Sequence, residues 1–476
     1  MENNRNNSPD NFSRRQILTA AGVAGAALPL VHSFPAGTAQ AQTQAGLFGP
    51  LPTINISLPS FSVAERDRRW AAVRSVMAEP QWDLDAIITC FSDEWGNNAR
   101  YLTQVAMVRY SGGGPQVVFP RDPDKTVRAQ LGGTRHRDEW ISRLNDGGDW
   151  LADGKMEILA ESGADDMISR LAAEGLDRRG TRIGLAKLAG SRFDRDGLVS
   201  ATWLDMLRSA LPNVEFLAID TEGPDSGPIQ SAAMVKSAEE QMMIRRAVAA
   251  NQVGLSAMVE AAGNGATRQA DMWWAAFTAM IAATGDDLVR LSIGLDEGGN
   301  ATLGEPVIDP VRVGQLCTQE ISAAYQGYGS QINHTFYVGP PSGDGYEYYS
   351  AAIGVLTEIH ENTMAVVRPG QTTYGELLAR MEEVRQGFDA EGGGVVVHSG
   401  GIGFARPRLG GDPDREIVLQ PGHSFDFKPS VILSPDQIED ASEENRDVQL
   451  GESYLITETG VERYGDRLLR PIATHA

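Results

Sequence analysis

Asp426 and Lys428 stand two residues apart in the segment HSFDFKP, so a regular strand would present their carboxylate and ammonium on one side. A lysine in a dry pocket acts as a general base or holds an anionic group. A carboxylate at that spacing either orients the ammonium or serves as a solvated cross-strand partner. His398, in GVVVHSG, and His334, in SQINHTF, are candidates for proton transfer, because imidazole changes charge near neutral pH. Arg406 and Arg408, in FARPR, are either guanidinium forks for a substrate carboxylate or ordinary rim charges. His423 follows a glycine turn and reads as a surface or edge residue.

The elements that must carry these groups can be read from periodicity and capping. A helix is expected around Ala64 to Met77, and strands at Ala86 to Cys90, PQVVFP, RIGLAKLAG and NVEFLAID. Helical stretches at Asp165 to Ala173 and Ser200 to Leu211 alternate with them, which is the pattern of an α/β domain ending near Asp220. The segment TEGPDSGPI has linker composition. Beyond it, Ser237 and Glu240 form a capping box that opens a helix with Ile244, Val248, Leu255 and Val259 on one face. A second helix runs from Gln269 to Ala283, strands from Cys317 to Ala324 and Gln331 to Val338, and two helices from Tyr346 to Val367 and Tyr374 to Ala390. The latter opens on the capping pair Thr373 and Glu376. GVVVHSG, HSFDFKP and SYLITETG complete an α+β domain with a curved antiparallel sheet.

The 476 residues are 42% apolar and 22% charged, which suits a chain of two domains. A formal charge of −22 repels phosphate backbones and anionic lipid, leaving small molecules or peptides as ligands. Residues 1–41 combine the pair Arg14-Arg15, an apolar run from Ile17 to Val31 and the small-residue site Ala39-Gln40-Ala41. That order describes a twin-arginine export signal, and the apolar run is too short and too rich in Gly and Ala for a membrane span. The expected location is the periplasm. Cys90 and Cys317 lie in apolar segments and read as buried thiols rather than a disulfide. The expected layout is a signal peptide at 1–41, a lead-in at 42–61, an α/β domain at 62–220, a linker at 221–235 and an α+β domain at 236–476.

A chain of markers in fixed order carries a family resemblance: VKSAEEQMMIRRA, EISAAYQGYGSQINHTFYVG, VRPGQTTYGEL, GGIGF, LQPGHSFDFKP and GESYLITETG. With these, residues from about 82 to 466 resemble the creatinase, prolidase and aminopeptidase P group. The resemblance implies a creatinase N-terminal-like α/β domain followed by a pita-bread domain. It also implies a homodimer in which the DEWGNNARY loop, with Trp95, reaches toward the neighbouring subunit's pocket. In metal-dependent members, two Asp, one His and two Glu hold two divalent ions that activate a water and polarise the scissile amide. The resemblance carries these places onto Glu320, Gln331, Gly400, Lys428 and Gly451. Only Glu320 keeps a carboxylate, while hard cations need several oxygen ligands and zinc needs four donors. Neither a metal nor another cofactor is therefore expected. The alignment leaves two registers open. Either Gly400 takes the place of the family His and His398, two residues earlier, faces the same cavity, or the glycines have slipped and His398 is that His.

Creatinase itself works without a metal, using a His that precedes the first hairpin. The corresponding segment here, EGGNATLGEPVIDP, contains none. The reading that follows is a metal-independent, creatinase-like hydrolase or lyase for a small polar molecule. Lys428, His398 and Glu320 are its catalytic candidates, and Gln331, His334, Asp426 and Arg406 its substrate-binding ones. A non-catalytic binding protein and an Xaa-Pro-type metallopeptidase with a rearranged metal site are the alternatives.

Overall fold

The computed structural model describes residues 61–474 apart from 90–97, 106–114, 132–133, 147–148, 162, 190–196, 220–226, 287–289, 296–308, 389, 403–413 and 434–446. The export signal, Cys90, Trp95, Arg406 and Arg408 fall outside the described residues. The first layer begins with helix α1 (Val63–Met77), whose Ser62 cap accepts a hydrogen bond from the Glu65 amide. Strand β1 (Ala86–Thr89), helix α2 (Asn98–Thr103), β2 (Gln116–Pro120), β3 (Val127–Gln130), α3 (Thr134–Asp146), β4 (Met156–Leu159), α4 (Ala164–Ala173), β5 (Arg182–Ala186), α5 (Ala201–Ala210) and β6 (Glu215–Ala218) follow.

The six strands form one mixed sheet in the order β4-β3-β2-β1-β5-β6. Its central strand, AIIT, is buried on both faces, which is why it reads as a continuous apolar run rather than an alternation. Ile87, Val117 and Phe119 pack with Trp70 and Val73 of α1. Ile88, Val118 and Leu185 pack with Met167 and Leu171 of α4 and Leu207 of α5.

The remaining elements are α6 (Pro228–Ala232), α7 (Ala238–Gly263), α8 (Gln269–Thr284), β7 (Arg290–Leu295), β8 (Leu316–Ser322), β9 (Ala324–Tyr325), β10 (Tyr328–Gly329), β11 (Asn333–His334), β12 (Phe336–Tyr337), α9 (Asp344–Met364), α10 (Tyr374–Gln386), β13 (Ala390–Gly392), β14 (Val395–Ser399), β15 (Gly401–Ile402), β16 (Ser424–Leu433), β17 (Val448–Ile456) and β18 (Val461–Arg463). Both expected capping boxes form, Ser237 with Glu240 and Thr373 with Glu376. The Ile244, Val248, Leu255 and Val259 face of α7 is buried.

One expected strand is broken. Residues 331–338 divide into β11, which pairs with β17, and β12, which pairs with β8. This segment crosses from one sheet to another, so the period of two that suggested a single strand hides a change of partner. The two halves of the molecule meet through charge. Ser62 donates to both oxygens of Glu239 and Arg68 reaches Glu240 at 2.6 Å, while from within the second half the Tyr328 hydroxyl donates to the other Glu240 oxygen at 2.7 Å. Tyr325 and Tyr328 are both buried.

Candidate active site

Strand β16 supplies the base of the site. Phe425 and Phe427 point into a core shared with α9 and α10, so the alternate residues Asp426 and Lys428 point the other way. In the antiparallel register His398 of β14 stands directly opposite Asp426 on one side and Ser453 of β17 on the other. The register that pairs Phe427 with Glu452 and Ser430 with Gln449 sets Lys428 against Gly451.

Glu320 comes from β8, and Gln331 from the short link that leads into β11. The hairpin between them is fixed by Gln326 and Gly327, both at positive φ (52° and 80°), which is the two-residue turn that matches strand twist. A Cβ on Gly327 would lie 2.6 Å from Arg100 Cδ, and the Gly327 amide donates to Asp286, the ion-pair partner of Arg100. Mutual amide-to-carbonyl bonds of 3.0 Å between Ile321 and Ile332 then hold Gln331 next to Glu320.

The Lys428 ammonium donates to Glu320 and, at 2.5 Å, to Gln331 Oε1. His398 Nε2 lies 2.6 Å from the same oxygen, and His398 Nδ1 lies 3.3 Å from Asp426 Oδ2. Because an ammonium has only donors, the Gln331 atom facing it is the oxygen. The His398 nitrogen facing that oxygen therefore carries a proton. Ser453 donates to Asp426 Oδ1 and also lies 3.2 Å from the Gln331 carbonyl. Asp426 is fully buried, and burial pushes its carboxyl up to about 7 against the opposing pull of Ser453 and Lys428. Glu320 and His398 keep 12% of their side-chain surface and Lys428 7%, so this cluster touches solvent at one edge.

Five of the seven expected site residues, Lys428, His398, Glu320, Gln331 and Asp426, thus converge. His334 does not, which corrects its assignment to substrate binding. It lies at the opposite parity from Gln331 on a pleated segment. Its Nε2 meets the Arg470 carbonyl at 3.0 Å and its Nδ1 meets Arg467, and burial beside that guanidinium holds it well below the usual imidazole range. Arg406 lies outside the described residues. His423, expected at the surface or an edge, stands just before β16 and is buried, and burial together with Lys236 lowers it to about 4. Ser453 was missed, because nothing in GESYLITETG marks it until the register places it against Asp426. Cys317 lies buried in β8 as a thiol.

The side chains present do not fit a pair of divalent ions. At the five places implied for the ligands stand one carboxylate, one carboxamide, two glycines and an ammonium that already contacts the first two. A Cβ on Gly451 would lie 2.8 Å from Lys428 Cγ, so the lysine stem fills the space a ligand side chain there would need. Among the described residues no three His, Cys, Asp or Glu side chains gather in a way that could hold a metal ion.

Comparison with known proteins adds the lineage. Residues 242–458 match the sequence profile of metallopeptidase family M24. That segment belongs to family M24. A search of curated proteins gives no sequence match. Among solved structures, the chain is similar to dipeptidase PepE from Mycobacterium ulcerans, at 19% identity and a TM-score of 0.60, over 87% of this chain and 100% of that one. It is also similar to the Xaa-Pro dipeptidase from Bacillus anthracis (16% identity, TM-score 0.61, 86% of this chain and 99% of that one). The X-Pro aminopeptidase from Thermotoga maritima is a further neighbour (16% identity, TM-score 0.59, 82% and 98%). These identities establish the fold that the M24 segment shares with such peptidases.

Proposed function

We propose that this M24 chain is a metal-independent hydrolase of a small polar molecule, exported to the periplasm and working as a homodimer. The observation that carries the reading is the Lys428 ammonium held between Glu320 and Gln331, at places that the family resemblance assigns to metal-holding carboxylates. A fixed positive charge there stabilises negative charge developing on a substrate, the task that a pair of ions performs in a metallopeptidase. His398 supplies the mobile proton. Its Nε2–H points at the same spot, and its Nδ1 lies 3.2 Å from the Ser399 carbonyl and 3.3 Å from Asp426 Oδ2, oxygens that steady the imidazole when it is charged. Glu320 fixes the ammonium and stands at the solvent edge, where it can take a proton from a reacting group. The Arg14-Arg15 signal supports export, and the family resemblance supports the dimer. A competing reading, a binding protein that inherited the cavity, draws on the fact that the lysine's partners come from its own chain.

The deciding experiment is elemental analysis of the purified chain, combined with a hydrolysis screen of small amides and guanidino compounds in chelator. Turnover is expected without bound divalent ions, and Lys428→Ala is expected to lose it while keeping its circular dichroism spectrum. Activity that disappears with chelator and returns with about two ions per chain would overturn the reading. A complete absence of turnover, with saturable ligand binding that needs Lys428, would favour the binding protein.

A further inference from the structure

Gln331 is the odd member of the cluster. It is buried, and its one side-chain oxygen receives two donors at once, the Lys428 ammonium at 2.5 Å and the His398 Nε2–H at 2.6 Å. Two donors converging on one carbonyl oxygen is the arrangement that enzymes of acyl chemistry keep for the oxygen of the reacting carbonyl. Here the chain's own carboxamide fills that position. We propose that the point between Lys428 Nζ and His398 Nε2 is a carbonyl-oxygen subsite for small neutral carboxamides, and that Gln331 fills it in the resting protein and gives way to the ligand.

Charge selects the ligand class. The Lys428 ammonium already has a carboxylate partner in Glu320, and His398 faces the buried carboxyl of Asp426. A ligand carboxylate would add a negative charge to a cluster whose ammonium is already paired. A neutral carboxamide replaces the Gln331 group like for like, with no change in the balance. Access is available from the side on which Glu320, His398 and Lys428 keep some exposure, whereas Asp426 and Ser453 form the closed base. Gln331 itself lies in the short link between β10 and β11, next to the isolated Ile321–Ile332 bridge, so its side chain can turn aside without breaking a ladder.

The inference rests on the proposed roles of Lys428 and His398, and its test is separate from metal content and turnover. Gln331→Ala removes from the cluster a fragment equivalent to acetamide. Acetamide and the isosteric anion acetate are therefore the probes, titrated into the full chain and followed by saturation-transfer NMR and the His398 imidazole signals in ¹⁵N-histidine-labelled protein. Saturable acetamide binding is expected in Q331A, at least about tenfold tighter than in the wild type and than acetate, because a hydrogen bond to a charged donor is worth that much. Adding Lys428→Met should abolish it. Equal binding by wild type and Q331A, preference for acetate, or no binding by folded Q331A would each overturn the proposal. Should Q331A not fold, Gln331→Asn, which withdraws the oxygen by one methylene, must show the same preference for acetamide at weaker affinity, and its failure to do so counts equally against the proposal. A chain that binds acetamide as expected yet proves metal-dependent would refute the proposed function and leave this subsite standing.

Discussion

Two buried clusters of charge adjoin β17, one through Ser453 and the other through Glu452, and they differ in what they leave undone. On one side Glu320, Lys428, Gln331, His398 and Asp426 meet, with three of them touching solvent. On the other, Arg467 pairs with Glu452, contacts His334 Nδ1, and donates to the Gly451 carbonyl at 2.8 Å and the Asn333 carbonyl at 3.2 Å. Every one of the side chains named in that second cluster is buried. The residue types are nearly the same in both. Parity along the strands decides the division, since Gln331 and His334, or Ser453 and Glu452, sit an odd number of residues apart. A histidine whose ring nitrogens are both engaged by its own chain in a dry interior holds structure together, whereas one with an edge in water can exchange a proton.

The sharpest way to break this comparison is to remove the cation from the closed cluster. Arg467→Met leaves Glu452 buried without its counter-ion and should cost about 3–5 kcal/mol of stability, read as a lower urea midpoint with unchanged slope. A loss under about 1 kcal/mol would mean that Glu452 sheds its charge and that the cluster is not an ion pair at all.

The open cluster should show itself through pH. Asp426 holds its proton up to about 7 in the folded chain, while an unfolded chain gives it up near 4. Between these values the native state binds more protons, so stability falls as pH rises from about 4 to about 7, and the penalty is complete above that. Asp426→Asn cannot ionise. The variant should gain on the wild type across this window, by on the order of 4 kcal/mol at most, and then run parallel to it. Parallel curves from pH 4 onward would show that Asp426 is ionised throughout.

What the sequence made legible is what period and capping encode. Asp426 and Lys428 share a face because two residues separate them, and the Ser237 and Thr373 boxes start their helices where expected. The convergence of Lys428 on Glu320 and Gln331, which stand on one hairpin far from it in the chain, was legible only through the family resemblance, since no local pattern links them. Ser453 and the Arg467–Glu452 pair were not legible, because their roles come from register across strands. His423 misled for a related reason. A histidine after a glycine turn reads as exposed, yet Val235 bridges to it and buries it against Lys236. The break between β11 and β12 hid inside QINHTFYV, because a strand-like stretch does not record which sheet it pairs with.

Gly451 is where the two clusters touch, and it gives the finest test. Its carbonyl accepts from Arg467, while its missing side chain leaves room for Lys428, whose Cγ would lie 2.8 Å from a Cβ there. If the lysine stem rather than the surrounding backbone sets that limit, Gly451→Ala should cost about 1–3 kcal/mol as overpacking. Shortening the stem with Lys428→Ala should then recover part of the loss. Recovery cannot be complete, because the same Cβ would also meet the Asn333 amide nitrogen at 3.1 Å. A double-mutant cycle should therefore give a coupling of about 0.5–2 kcal/mol between positions 428 and 451. Strict additivity would separate the glycine from the lysine and leave the ammonium without the space that explains how it came to fill this cavity.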